Sequence, residues 1–291
     1  MKLRVSHTTS YRYTEAVTLS HNQVRLTPRE FEHQKCLSTR IRIEPFPSVL
    51  RTWIDSFGNE TTYFTFEDPH PELTISLQGS VETLPRPRNN TVNGGTWEDG
   101  VHFLRTEHTA AALEAALFTF DSPYVSPEAD VQAYAATSFT PGRSLWDAVV
   151  ELTSRIYADF RYDPQATTLR TTLAEVLTLR RGVCQDFAHL QIACLRAFGL
   201  AARYVSGYLV THPLPGKQKL VGADASHAWL SVFFPGCGWI DFDPTNNCLP
   251  NEEHITLAWG RDYFDVAPIK GLYLGGGTST LHVSVDVGEN T

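Results

Sequence analysis

Five cysteines are present, and Cys184 is set apart by its neighbours. It follows Arg181, Gly182 and Val183 and precedes Gln185, Asp186, Phe187, Ala188 and His189. Gly182 interrupts the helical pattern before it, and a new apolar period opens at Phe187. Cys184 therefore falls at a helix start. A helix N-terminus presents free N–H groups and partial positive charge. Both favour the thiolate, the reactive form of cysteine. The same N–H groups, that of Cys184 among them, can hold the oxyanion that forms when a thiolate attacks a carbonyl. Glycine at 182 leaves the backbone open to a close substrate approach. Cys194 reads differently, because it shares an apolar face with Phe187, Leu190 and Phe198. The two cysteines are separated by ~15 Å along one helix, too far to share a metal ion. His189 lies on a different helix face from Cys184, which assigns it a structural role.

The base must then come from elsewhere, and context selects His227 from eleven histidines. Residues 226–234 read as a strand, Pro235, Gly236, Cys237 and Gly238 as a turn, and Trp239 to Thr245 as the return strand. Ala228, Leu230, Val232 and Phe234 share one face of the first strand, and Ile240 and Phe242 share one face of the second. These sets meet when Phe234 pairs with Gly238, Val232 with Ile240 and Leu230 with Phe242. His227 and Asp243 then become diagonal neighbours on the opposite face, ~7–8 Å apart at the backbone. Asp241 shares that face, one pair further away. An aspartate beside a histidine fixes the imidazole tautomer and supports its positive form. A histidine so held can deprotonate a thiol.

The elements that must carry these groups follow from periodicity and turn chemistry. Residues 1–85 read as an antiparallel β domain, with strands at 3–13, 17–26, 36–43, 61–66 and 73–81. Residues 86–100, rich in Pro, Asn and Gly, read as a linker. Helical patterns follow at 106–118, 144–160 and 173–180, and the fourth runs from Cys184 to Gly199, its C-terminal cap. Leu145, Val149, Leu152 and Ile156 form the stripe of the second. Strands are expected at 202–210, 226–234, 239–243 and 280–287. The chain thus divides into the β domain, the linker, a core over 101–251 and a segment over 252–291 that returns a strand to one of the two domains.

Composition narrows the function classes. Hydrophobic residues make up 42% of the chain and charged ones 19%, enough to build a large core. The net charge of -8, without a basic stripe, argues against nucleic acid as a partner. No apolar run reaches the length of a membrane helix, so no membrane partner is expected. Met1 leads into Lys2-Leu3-Arg4 with no apolar leader. With an odd, sparse set of cysteines, this favours a cytoplasmic protein over a disulfide framework. No CxxC or HExxH motif and no calcium-loop string occurs, so neither a metal nor a cofactor is expected.

The segment Gly182 to His189, the run Ser226-His227-Ala228-Trp229, and Trp239 to Thr245 resemble the bacterial transglutaminase-like family of cysteine enzymes. Arg203 to Tyr208 is similar to that family as well. Ser6 to Tyr11 and Asp55 to Asn59 resemble the N-terminal domain often fused to it. The likeness implies an α+β, papain-like core, with a central helix packed on an antiparallel sheet, preceded by an N-terminal β domain. It also implies Cys184 as nucleophile, His227 as base and Asp243 as orienter. The expected reaction is acyl transfer from an amide or peptide bond through a thioester, with hydrolysis favoured. Protein-glutamine acyl transfer and a non-catalytic interaction role are the alternatives. The Cys184 N–H is the first oxyanion candidate and Tyr162 the second. The partner is a peptide or protein amide substrate.

Overall fold

The computed structural model of the chain describes residues 1–86, 95–126, 128–211 and 226–289. Two antiparallel sheets dominate it. The spine of the first is β1 (Lys2–Val24), which joins the strands expected at 3–13 and 17–26 into one element. A register shift between Arg12 and Val17 interrupts its pairing with β5. Leu3, Val5, His7 and Thr9 alternate into the interior, as a half-buried strand requires. With β2 (Gln34–Glu44), β3 (Val49–Ile54), β4 (Glu60–Phe66) and β5 (His70–Thr83), the order is β2-β5-β1-β4-β3. Sequence periodicity misses β3 for a physical reason. It is an edge strand with no buried residue, so it lacks an apolar face to alternate with a polar one.

The helical layer comprises α1 (Trp97–Thr106), α2 (Ala110–Ala116), α3 (Ala129–Ala136), α4 (Leu145–Asp159), α5 (Leu173–Leu179) and α6 (Cys184–Ala197). The expected linker over 86–100 is cut short, because α1 begins inside it. Thr96 and Asp99 cap that helix reciprocally. Residues 87–94 of the expected linker lie outside the described residues. Gly100 belongs to the helix: a Cβ there would press within 3.3 Å of Leu145 and Leu200. The helix expected over 106–118 is correspondingly displaced, with α1 ending at Thr106 and α2 starting at Ala110. The apolar stripe of α4 is fully buried at all four expected positions.

The second sheet has the order β10-β9-β8-β11, from β8 (Ala202–Leu209), β9 (Ser226–Phe234), β10 (Gly238–Phe242) and β11 (His254–Gly260). Every residue of α6 from Asp186 to Arg196 is buried, making it the central helix. Its Phe187, Leu190 and Cys194 share a core with Leu230, Val232 and Phe242 of the sheet. β11 begins beyond residue 251, so the core sheet extends past the expected boundary. Ile255 and Leu257 face the first domain while Ala258 joins the core. Burial on both faces erases the alternation that would have disclosed the strand. After α7 (Tyr263–Val266), β12 (Ile269–Gly275) and β13 (Ser279–Glu289) pair with β1. The C-terminal segment therefore returns strands to both sheets, where one return was expected. Among the described residues no helix is long and apolar enough to cross a membrane.

The domains are locked through β11. Gln34 donates to the Thr256 carbonyl at 2.8 Å and accepts the Thr256 N–H at 2.8 Å, closing the edge of the core sheet with one side-chain amide. Arg29 lies over the Trp259 ring at 3.5 Å, and its Nη1 donates to Asn59, whose side chain bonds both backbone groups of Trp259. Gln34→Ala would leave the buried Thr256 N–H without its partner, while the Thr256 carbonyl keeps the Arg29 N–H at 3.0 Å. The substitution is expected to cost about 2–3 kcal/mol, read as a lowered urea midpoint with an unchanged m-value. An unchanged midpoint would remove Gln34 from this role.

Candidate active site

The approach to Cys184 is a short parallel pairing of β6 (Arg161–Tyr162) with β7 (Arg181–Gly182). Asp163 donates its N–H to the Gly182 carbonyl at 2.9 Å, which anchors the turn before α6. Cys184 is the first residue of that helix, as its neighbours predict. The Asp186 carboxylate folds back over the helix start and accepts the Val183 N–H at 2.8 Å and the Thr167 hydroxyl at 2.7 Å. This fixes why residue 182 is glycine: a Cβ there would lie 2.6 Å from Asp186 Oδ2. The glycine is required by the carboxylate, whereas the sequence suggested substrate access. Cys184 is half-buried, while Cys194 is fully buried and its thiol is pushed up to about 12 by desolvation. Burial also raises the Cys248 thiol, to about 11, and that of Cys36.

The hairpin has the expected register: Gly238 pairs with Phe234, Ile240 with Val232 and Phe242 with Leu230. His227 Nε2 reaches Asp243 Oδ2 at 2.7 Å. The Cys184 side chain is close enough to His227 to support its positive charge. Burial alone would lower the His227 pKa. The bond to Asp243 and the nearby Cys184 side chain outweigh that and hold it well above its ordinary value. Asp243 is fully buried. Burial would raise its carboxyl, but bonds from His227, His254 and Asn246 hold it well below the usual carboxylate range. The Thr245 and Asn246 N–H groups donate to its Oδ1 at 2.9 and 3.2 Å.

Asp241 takes a separate set of partners. It accepts from Trp229 Nε1 at 3.0 Å and from Ser231 Oγ, and it pairs with Arg86. Trp229 in turn packs against His227 and His254, with ring centroids 6.0 and 5.3 Å apart. Gly207 makes room for it, since a Cβ there would meet the Trp229 ring at 2.5 Å and the Ile255 carbonyl at 2.1 Å. Tyr162 is half-exposed, and Cys184 is close enough to oppose its ionisation. His189 is structural: its Nε2 accepts the Tyr263 N–H at 3.1 Å and its ring stacks on Tyr124.

Sequence reasoning missed His254, the first residue of β11. Its Nε2 lies 3.3 Å from Asp243 Oδ2. His227, Asp243 and His254 offer ligand atoms within 4.8 Å of one another, a spacing a cation can bridge. Each of those atoms already has a hydrogen-bond partner in the trio, so the arrangement is complete without an ion. A cavity of about 820 Å³ between the domains is lined by Arg86, Arg203, Asp241 and Asn251. Cys184, His227, Asp243 and His254 are not on its wall.

The electrostatics make a direct prediction. In a histidine-ring NMR titration, His227 should stay protonated at pH 7–8, while His189, with its pKa lowered to about 3 by burial, stays neutral. Cys184→Ala should lower the His227 transition. A His227 ring already neutral at pH 7 in the native protein would contradict this account.

Residues 3–82 match the model of the bacterial transglutaminase-like N-terminal region, and residues 132–244 match that of the transglutaminase-like superfamily. An uncharacterized protein of Mycobacterium tuberculosis is 43% identical over 294 residues, covering 98% of this chain and 92% of that protein. One of Mycobacterium leprae is 35% identical over 289 residues, 98% of each. A protein-glutamine gamma-glutamyltransferase of Pseudomonas aeruginosa is 32% identical over 133 residues, 42% of this chain and 20% of its own. Among solved structures, a Cytophaga hutchinsonii protein provisionally assigned as a cysteine protease aligns with a TM-score of 0.77 at 21% identity. The alignment covers 100% of this chain and 92% of that one, and the likeness is one of fold. The chain therefore belongs to the transglutaminase-like superfamily, with the bacterial transglutaminase-like N-terminal region preceding its core.

Proposed function

We propose that this protein is a cysteine-dependent acyl-transfer enzyme that hydrolyses an amide or peptide bond through a thioester. The observation that carries the reading is the placement of His227, bonded to Asp243 at 2.7 Å and close enough to Cys184 for the two side chains to act on each other's charge. In the resting pair the thiol proton is held on His227, and the sulfur attacks the carbonyl carbon. The oxyanion is held by the Cys184 N–H at the start of α6, with Tyr162 as the candidate second donor. Collapse breaks the C–N bond, and the proton held by His227 passes to the leaving amine. Water then attacks the thioester, His227 takes its proton, and the acid and the thiol are released. Asp243 holds the ring and stabilises the imidazolium throughout.

Water is favoured as acceptor because the nearby carboxylates are committed. Asp186 is bound to Val183 and Thr167, Asp241 to Arg86, Trp229 and Ser231, and Asp243 to His227. None of these three is free to receive a lysine ammonium. The alternative, acyl transfer to an amine, is suggested by the Pseudomonas aeruginosa relative, which is named a protein-glutamine gamma-glutamyltransferase. A non-catalytic role would make the retention of all three side chains in contact coincidental.

Two measurements test the reading. Iodoacetamide at about pH 6 should label Cys184 ahead of the buried Cys194 and the partly buried Cys36 and Cys248, and should abolish turnover of a peptide amide. With millimolar primary amine present, mass analysis should find the free acid in excess. A dominant amine adduct would replace hydrolysis with acyl transfer. Secondly, Asp243→Asn should reduce kcat by about 100-fold or more, because it misorients the imidazole. Asp241→Asn should cost far less, since Asp241 reaches His227 only through Trp229. Equal losses in the two variants would undo the distinction.

A further inference from the structure

Among the described residues, two imidazoles converge on one carboxylate oxygen. Asp243 Oδ2 is 2.7 Å from His227 Nε2 and 3.3 Å from His254 Nε2, and Asn246 Nδ2 donates to it at 2.7 Å. A ring nitrogen that faces an ionised carboxylate carries its proton on that side. The other nitrogen of His254 meets Asn251, whose N–H lies 3.3 Å from Nδ1 and whose Oδ1 lies 3.1 Å away. Burial lowers the pKa of His254, and the nearby charges of His227 and Arg86 act in the same direction, against the pull of Asp243. A neutral ring with Nε2–H towards Asp243 and Nδ1 accepting the Asn251 N–H satisfies the Asp243 and backbone contacts, while Asn251 Oδ1 accepts the Glu253 N–H at 3.0 Å instead. The edge of Trp229 against His254 fixes the ring plane, with centroids 5.3 Å apart at 84°.

We infer that His254 is a positioning residue for the reaction proposed above: its N–H fixes the Asp243 carboxylate and disperses its charge, so that Asp243 orients His227 without taking its proton. Oδ2 accepts His227 along one direction only if its other directions are occupied, and His254 and Asn246 occupy them. The two backbone N–H groups on Oδ1 prevent the carboxylate from rotating. The charge that Asp243 presents to His227 is then divided among five donors, enough to stabilise the imidazolium while leaving the proton on the ring. When the amide C–N bond breaks, that proton moves to the departing nitrogen. A more basic carboxylate would compete for it.

The inference rests on the proposed chemistry, so its test needs a readout that does not depend on turnover. His254→Phe keeps an aromatic ring and loses the donor. His254→Gln can place an amide N–H near Oδ2. In the full chain, the Phe variant should lower kcat about tenfold or more with KM changed less than about twofold. It should also move the NMR transition of His227 upward, because the remaining donors share more charge. The Gln variant should recover most of both effects. Equal behaviour of the Phe variant and the native protein, or equal impairment of the Phe and Gln variants, overturns the inference. Native protein that shows no Cys184-dependent turnover of peptide amides would defeat the functional reading instead, and the His227 titration would still decide the role of His254.

Discussion

A carboxylate shut off from water has to be surrounded by donors, and Asp243 imposes that demand on its whole neighbourhood. Removing an ion of this size from water costs several kcal/mol even after relaxation. The donors come from three separate places. His227 ends one strand of the hairpin, Thr245 and Asn246 belong to the turn after it, and His254 opens the strand at the far edge of the sheet. The turn itself is closed by the reciprocal backbone bonds of Asp243 and Cys248 at 2.9 and 3.2 Å. Asn247 takes the left-handed conformation there, φ 50°, which asparagine tolerates better than most residues. The hairpin register, the tight turn and the start of β11 must therefore all be right before the charge can be buried. The His227–Asp243 geometry is as rigid as the core that holds it.

The first domain enters this arrangement through the edges it closes. A core sheet ending at β11 would present unpaired backbone groups, the usual liability of an edge strand. Gln34 closes Thr256, Asn59 closes Trp259, and Arg29 and Arg203 both lie against the Trp259 ring, at 3.5 and 3.7 Å. Arg86, at the end of that domain's described residues, pairs with Asp241. β12 and β13 then carry the chain back along β1. The two domains are consequently interleaved, and His254 is held in a strand whose outer edge belongs to the first domain.

Local signals made half of the site legible in the sequence. Cys184 is placed by a glycine and a change of period within a few residues, and His227 and Asp243 by the alternation of a single hairpin. Each of those inferences needs contacts between neighbours along the chain only. His254 needs the pairing of β11 with β8, which joins segments some fifty residues apart and leaves no alternating pattern, because Ile255, Leu257 and Ala258 are buried on different sides. The same cause hid the true end of the core. β3 was illegible for the opposite reason, since neither of its faces is buried. At α1, the Asn- and Gly-rich composition outweighed a capping box at Thr96 and Asp99 that was present in the sequence.

Asp241 lies on β10 and Asp243 just past its end, yet only Asp243 bonds His227, and the difference is the kind of partner each has. Asp241 is compensated by cations: Arg86 and Arg203 both act to keep it ionised, and Ser231 and Trp229 take its remaining lone pairs. A carboxylate neutralised in this way has little field left for an imidazolium. The partners of Asp243, apart from His227, are neutral N–H groups, which stabilise the anion without cancelling its charge. Among the described residues, the positive charge it meets directly is that of His227. The arginines are thus kept on Asp241, whose bond to Trp229 shapes the floor beneath the histidines. A net negative charge is left beside His227.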